Sequence, residues 1–209
     1  MKTIGIILRE WTSGYREIPL YAVRRDVIIY LNKYDVNLVT ISLIFDNNES
    51  FNKAKNIINI CDGIILPGGS DPLPLDNELV KYLYDNDIPT LGICLGMQIM
   101  SLAFNDNKLG RLGTEDHNVP SGYVHKIKLD KESMLYNIIG EEIIEVNSRH
   151  HDYIEDTRLD KVAYSIPDNI LEAVEDKTRK FFVGVQWHPE SLKEDVYSKK
   201  IFDAFISKL

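Results

Sequence analysis

Apolar residues fall in short runs, and the period of those runs changes near residue 105. Lys2 to Leu8 is a β-rich run that reads as a first strand. Arg9 to Ile18 reads as a loop, with Trp11 and Tyr15 around Gly14. Pro19 suits the first turn of a helix, and Leu20, Val23, Val27, Ile28 and Leu31 keep helical spacing after it. Asn37 to Phe45 reads as a strand and the polar cluster Asp46 to Ser50 as a turn. Phe51, Ala54, Ile57 and Ile58 predict a short helix, Asp62 to Leu66 a strand, and Glu78 to Tyr84 a helix. A strand ending at Ile93 then leads into a helix, Leu95 to Phe104, that is apolar on nearly every face. Strand alternating with helix implies right-handed crossovers and a parallel sheet.

Beyond Phe104 the pattern keeps few helices. Asn105 to Lys108 and Gly110 to Gly122 are loop-like. Tyr123–Leu129, Glu142–Val146, Lys161–Ser165, Ile170–Glu175 and Phe181–Trp187 all read as strands, which predicts antiparallel additions to the sheet. A last helix, about Lys193 to Ser207, carries the apolar stripe Tyr197, Ile201 and Phe205.

At 209 residues the chain fits one domain, 1–209, with a substantial core. Its 24 basic and 32 acidic side chains leave a net charge of −8, which argues against nucleic acid or an anionic membrane as the main partner. No apolar run is long enough to span a bilayer, and the first residues enter a strand without a signal peptide. Two cysteines make no disulfide framework, so a reducing, cytoplasmic setting is expected, with Cys61 as packing.

The chemistry centres on Gly92-Ile93-Cys94-Leu95-Gly96. A glycine two residues either side of a nucleophile, between a strand and a helix, is the pattern of a nucleophile elbow, here with cysteine in place of serine. The glycines admit a turn so sharp that side chains there would strike the backbone. The thiol lies at the positive end of a helix, which favours thiolate, and the N–H of Leu95 points where an oxyanion would form. A lone buried cysteine is more often an inert small hydrophobe. Two other stretches shift the balance: Pro67-Gly68-Gly69 closes one strand, and Gln186-Trp187-His188-Pro189-Glu190 closes another, where an open parallel sheet keeps its active site. His188 is the candidate base and Glu190 the candidate group that fixes its tautomer; in an extended segment residues two apart share a face. Gly69 supplies a second candidate oxyanion N–H, beside Gly68. Gln98, four residues after Cys94, shares its helix face.

Together, Gly-x-Cys-x-Gly-x-Gln, Pro-Gly-Gly and Gly-Val-Gln-Trp-His-Pro-Glu resemble the class I glutamine amidotransferase domain, and the resemblance runs over essentially the whole chain. It implies a three-layer, flavodoxin-like α/β fold, a mostly parallel sheet with helices on both faces and antiparallel additions in the C-terminal half. It also implies a Cys94–His188–Glu190 triad that forms a γ-glutamyl thioester, and a substrate contact from Gln98. Val146-Asn147-Ser148-Arg149-His150-His151 is similar to a segment of the γ-glutamyl-γ-aminobutyrate hydrolase-like branch, which makes Ser148, His150 and His151 candidate substrate contacts alongside Gly68. His117, His125 and Asn169–Ala173 also suit that branch. One departure is Leu95, where the branch often carries arginine; leucine is commoner in glutaminase domains that feed ammonia to a synthase.

Metal binding is the rival use of five histidines. It is set aside because no pair has the i,i+4 helical spacing with a third ligand; adjacent His150 and His151 should face opposite ways on a strand, and His117 and His125 read as structural. No cofactor and no metal are expected. The leading expectation is a free-standing γ-glutamyl hydrolase acting on a small γ-glutamyl amide or isopeptide. The second is a glutaminase subunit passing ammonia from glutamine to a separate synthase, and the third is an inactive binding module on the same fold.

Overall fold

The computed structural model describes residues 1–12, 17–44, 47–105 and 109–209. Expectations for Ser13–Arg16, including Gly14 and Tyr15, for Phe45 and Asp46, and for 106–108 lie outside these. A nine-stranded sheet runs β4-β1-β5-β6-β13-β12-β11-β8-β9. Its parallel half is β4 (Val36–Ile41), β1 (Lys2–Ile7), β5 (Gly63–Leu66), β6 (Thr90–Ile93) and β13 (Phe182–Val185). Its antiparallel half is β12 (Leu171–Glu175), β11 (Asp160–Ile166), β8 (His125–Leu129) and β9 (Ile143–Val146). The antiparallel additions after residue 105 are present with one exception: β13, expected among them, runs parallel to β6, so the direction changes between β13 and β12.

The central strands β5, β6 and β13 are buried at every position, so their residues pack alternately into two cores. One core joins Ile65, Leu91, Ile93, Val183 and Val185 to helices α1 (Arg25–Leu31), α5 (Met134–Ile139) and α6 (Val196–Ser207). The other joins Ile64, Leu66 and Phe182 to α2 (Asn48–Ile58), α3 (Asp76–Asp85) and α4 (Leu95–Leu102). That is a three-layer α/β fold. The stripe on α6 behaves as expected, since Ile201 and Phe205 are fully buried and Tyr197 packs at the margin. Asn47 caps α2 by accepting the Ser50 N–H at 3.0 Å.

Local propensity misleads at three places. The expected loop Arg9–Ile18 and helix start at Pro19 are instead a hairpin, β2 (Arg9–Thr12) with β3 (Pro19–Ala22), paired from Arg9–Ala22 to Thr12–Pro19. Pairing outweighs helical spacing here because Leu20 and Tyr21 are exposed and gain nothing from a helix face. A second small ribbon, β7 (Leu109–Arg111) with β10 (Asp152–Ile154), forms in sequence that looks loop-like. Helix α5 interrupts the run of strands. Its start is satisfied by Ser133, which accepts the Tyr136 N–H, and by the Glu175 carboxylate, which accepts the N–H groups of Met134 and Leu135 at 2.6 and 2.9 Å. Among the described residues no helix is long and apolar enough to cross a membrane.

α1 and α6 meet through Tyr30 stacked on Phe202, ring centroids 4.3 Å apart. Phe202→Ala should cost about 3–5 kcal/mol, the loss for a buried aromatic that leaves a cavity; Phe202→Leu should cost distinctly less. Urea midpoints of the two variants, at unchanged slope, check both.

Candidate active site

Three adjacent parallel strands, β5, β6 and β13, deliver their C-terminal ends to one rim. The register aligns Leu66 with Gly92 and Val185 with Ile93. Continuing it by one or two residues brings Gly68, Cys94 and Gln186 level. This is the place where open α/β sheets bind ligands.

Cys94 sits in a backbone conformation that side chains rarely adopt, φ 54° and ψ −107°. The crowding around it shows what holds it there. A methyl group at Gly96 would overlap the carbonyl oxygen of Leu66, and one at Gly92 would lie 2.8 Å from the Gly96 carbonyl carbon. The first turn of α4 can press against β5 at Gly96 and against β6 at Gly92 only because both positions lack a side chain. Leu95 is the first residue of α4 and directly follows Cys94, so its N–H has no partner within the helix. A side chain at Gly68 would fall 3.0 Å from His188 Cε1 and 3.6 Å from Cys94 Cβ, so Gly68 borders both groups. Gly69 packs between Leu95 and Arg9. Arg9 is itself buried and donates to both oxygens of Asp76 at 2.6 and 2.9 Å and to the Asp71 carbonyl, which pins the glycine-containing loop.

His188 and Glu190 meet at 2.7 Å, Nδ1 to Oε1. The expected extended segment is in fact a short 3-10 turn, Pro189–Ser191, preceded by His188 at φ −112° and ψ 81°. The turn still puts both side chains on the same side. Burial works against the imidazolium, but the charges of Glu190 and the Cys94 sulfur outweigh it and raise His188 from 6.5 to about 9. Burial likewise works against the thiolate, and His188, as charge and hydrogen-bond partner, overcomes it and holds Cys94 below its ordinary value. The two shifts describe one thing: a thiolate–imidazolium pair.

The expected binding residues divide. Gln98 is buried and donates through Nε2 to the Asp152 carbonyl at 3.0 Å and to Gln186 Oε1 at 3.1 Å. Gln186 in turn donates to the Cys94 sulfur at 3.5 Å. Ser148 is fully buried and donates to the His117 carbonyl at 2.7 Å. His150 is buried, with Nδ1 3.0 Å from the Asp152 carbonyl, whereas the His151 side chain is 38% exposed near Glu115. The adjacent histidines thus have opposite surroundings.

Three residues with no role in the sequence reading also hold the site. Asn147 clamps the His188 backbone reciprocally, accepting its N–H at 2.7 Å and donating to its carbonyl at 2.8 Å. Arg149 Nη2 lies 3.9 Å from Glu190 Oε1 and donates to Ser191 at 2.7 Å. Gln186 orients toward the thiol as above. Asn147 lies inside the Val-Asn-Ser motif and Gln186 two residues before His188, the signals by which both could be found.

A model of the peptidase C26 family matches residues 74–190. A CTP synthase of Porphyromonas gingivalis is 28% identical across a stretch covering 84% of this chain and 38% of that protein. The chain therefore spans under two fifths of that relative's length. The glutaminase domain of Trypanosoma brucei CTPS, solved with bound acivicin, aligns with a TM-score of 0.72 at 18% identity, covering 100% of this chain and 95% of that one. A glutamine amidotransferase from Methylobacillus flagellatus aligns at 0.69 and 12% identity, covering 100% and 95%. At these identities the structures speak for the fold.

The ion pair sets a pH window. Thiolate should be present below the free-thiol pKa of about 8.5, and its imidazolium partner should persist until His188 loses its proton near 9. Alkylation of Cys94 by iodoacetamide, followed by peptide mass mapping, should already be fast at neutral pH. In His188→Gln the same rate should climb only above about 8.5. Asn147→Ala, which frees both backbone bonds of His188, should cost about 1–3 kcal/mol in thermal denaturation.

Proposed function

The chain belongs to the peptidase C26 family, and from that premise we propose that it is the glutaminase component of an amidotransferase, releasing ammonia from glutamine for a synthase site on a partner. At the coarser level it is a cysteine amidohydrolase of the class I glutamine amidotransferase type. The observation that carries the finer reading is the similarity to CTP synthase over 84% of the chain.

In the proposed reaction the Cys94 thiolate attacks the side-chain amide carbon of glutamine. The N–H groups of Leu95 and Gly69 receive the negative charge on the carbonyl oxygen. His188 gives its proton to the departing nitrogen, so ammonia leaves and a γ-glutamyl thioester remains. The neutral imidazole then takes a proton from water as the oxygen attacks the thioester, and glutamate leaves with the thiolate regenerated. Glu190 orients the ring and stabilises its charged form without taking the proton. Gly68 leaves room for the reacting carbon between the two groups. Gln98, Ser148 and His150 act by positioning, because their polar atoms are engaged within the protein. We place the working unit in residues 1–209 as one domain, in a reducing, cytoplasmic setting that preserves the thiolate.

A second reading, hydrolysis of larger γ-glutamyl amides or isopeptides, is favoured by one observation besides the Val146–His151 motif. A cleft of about 680 Å³ opens from Ser70 and Asp71, directly after Gly69, and is walled by Trp11, Leu20 and Tyr21 of the hairpin. It could take a leaving group bigger than ammonia.

Steady-state assays separate the two. With glutamine and a panel of γ-glutamyl amines as substrates, the glutaminase reading expects equimolar glutamate and ammonia and the highest kcat/KM on glutamine. Faster turnover of a γ-glutamyl amine would replace it with the hydrolase reading. Cys94→Ala should abolish turnover of either substrate in a protein of unchanged Tm, and acivicin should label Cys94 unless glutamine protects it. His188→Ala should lose more than Glu190→Gln, since only the former removes the proton carrier. Undiminished turnover in Cys94→Ala would overturn both readings.

A further inference from the structure

Beside the thiol, and making or breaking no bond in the reaction above, lies a buried knot of nitrogen and oxygen donors. His117, His125 and Glu172 each offer a ligand atom, and these lie within 4.8 Å of one another. Glu172 Oε1 is 3.3 Å from His125 Nε2, 3.6 Å from His117 Nδ1 and 3.5 Å from His150 Nε2. His117 Nδ1 and His150 Nε2 are 3.2 Å apart. We propose that His117, His125, His150 and Glu172 form a binding site for one divalent ion of the zinc class, whose role is to tie the segment that carries Asn147 to the sheet.

Ligands about 2.0–2.1 Å from a tetrahedral zinc stand about 3.3–3.4 Å from each other. Four of the six donor separations, 3.2 to 3.6 Å, fall around that value, and the donors of His117 and His125 stand within 4.8 Å of each other. The outer nitrogens are arranged as metal-bound histidines require. His117 turns Nε2 to Asp168 Oδ2 at 2.6 Å, which leaves Nδ1 directed inward; His150 turns Nδ1 to the Asp152 carbonyl, which leaves Nε2 directed inward. Such outer partners fix the ring orientation and strengthen the ligand. Glu172 is 0% exposed and, among the described residues, neither of its oxygens has a hydrogen-bond partner; the same holds for both ring nitrogens of His125. The three imidazoles around this carboxylate stand at ion-pair distance but outside hydrogen-bond geometry; a cation held between them would offset the cost of burying the charge. Mixed imidazole and carboxylate donors at tetrahedral spacing suit zinc better than magnesium or calcium. Access is open, since a cavity of about 530 Å³ is lined by His117, His125, Tyr123, Glu145 and Asp168.

The four donors come from distant segments. His117 precedes β8, His125 opens it, Glu172 lies in β12, and His150 follows β9 on the same segment as Asn147, whose side chain holds the His188 backbone. An ion here would therefore stiffen the support of the catalytic imidazole without touching the thiol.

The full chain, stripped with a chelator, is titrated with zinc(II) by calorimetry and by thermal denaturation, with cobalt(II) as a spectroscopic substitute. One equivalent should bind with micromolar or tighter affinity, raise Tm by several degrees and give the visible bands of tetrahedral cobalt. Glu172→Gln and His125→Ala should each lose binding by at least about tenfold, and Asp168→Asn, which changes only an outer partner at a half-exposed position, by about tenfold as well. Cys94→Ala should bind zinc undiminished. If wild-type protein takes up no zinc at micromolar concentration and its Tm does not move, or if binding disappears with Cys94 and survives in the well-folded Asp168→Asn and Glu172→Gln proteins, the proposal is overturned and the knot is a hydrogen-bonded histidine cluster.

Discussion

The contact between the start of α4 and the end of β5 governs the rest of the rim. Gly96 lies so close to the Leu66 carbonyl that a single methyl group would overlap it. That closeness forces the chain to reverse within one residue, and Cys94 absorbs the reversal at φ 54°. The strain is stored, and the surrounding packing must exceed it. α4 supplies that packing: every residue from Leu95 to Ser101 is buried. A helix buried all round is thus the foundation on which one unfavourable backbone angle can be held.

From that angle the electrostatics follow. A thiol buried as deeply as Cys94 would by itself stay protonated. The charge is stabilised only because β13 ends beside β6 and brings His188 across, and His188 stays charged only because Glu190 lies 2.7 Å from it. None of the three groups has its shifted behaviour alone. The chain of support continues outward: Asn147 holds the imidazole's backbone, and Arg149 and Ser191 stand behind the carboxylate. Cys94, His188 and Glu190 follow strands of the parallel half of the sheet, and Asn147 and Arg149, which brace them, follow β9 of the antiparallel half.

Those two halves differ in how far they can be read before folding. The meeting of Cys94 and His188 at one rim is legible in local patterns, glycines two residues either side of the cysteine and a strand that stops at a polar cluster. Alternating strand and helix likewise exposed the parallel sheet. The hairpin at Arg9–Ala22 was not legible, because Pro19 and the spacing of Leu20, Val23 and Val27 satisfy a helix equally well and only the pairing with β2 decides between them. Helix α5 is six residues long, too short for its periodicity to stand out, and its start rests on Glu175, about forty residues away in sequence. Gln186 looked like an ordinary strand residue, and its bond to the Cys94 sulfur exists only because β13 lies beside β6.

The histidines carry the same lesson further. Reading along the chain, metal binding is set aside because ligands for zinc usually come in pairs one helical turn apart. That argument weighs only spacing within an element. A sheet whose strand order departs from chain order assembles donors by a different rule: β8 and β12 are separated by β11 in space and by more than forty residues in sequence, yet His125 on one stands 3.3 Å from Glu172 on the other. Sequence spacing can support a metal site where one helix or loop supplies the ligands. Where each ligand comes from a separate strand, its silence carries no weight, and the decisive quantities are the inward direction of each ring nitrogen and the carboxylate buried among them.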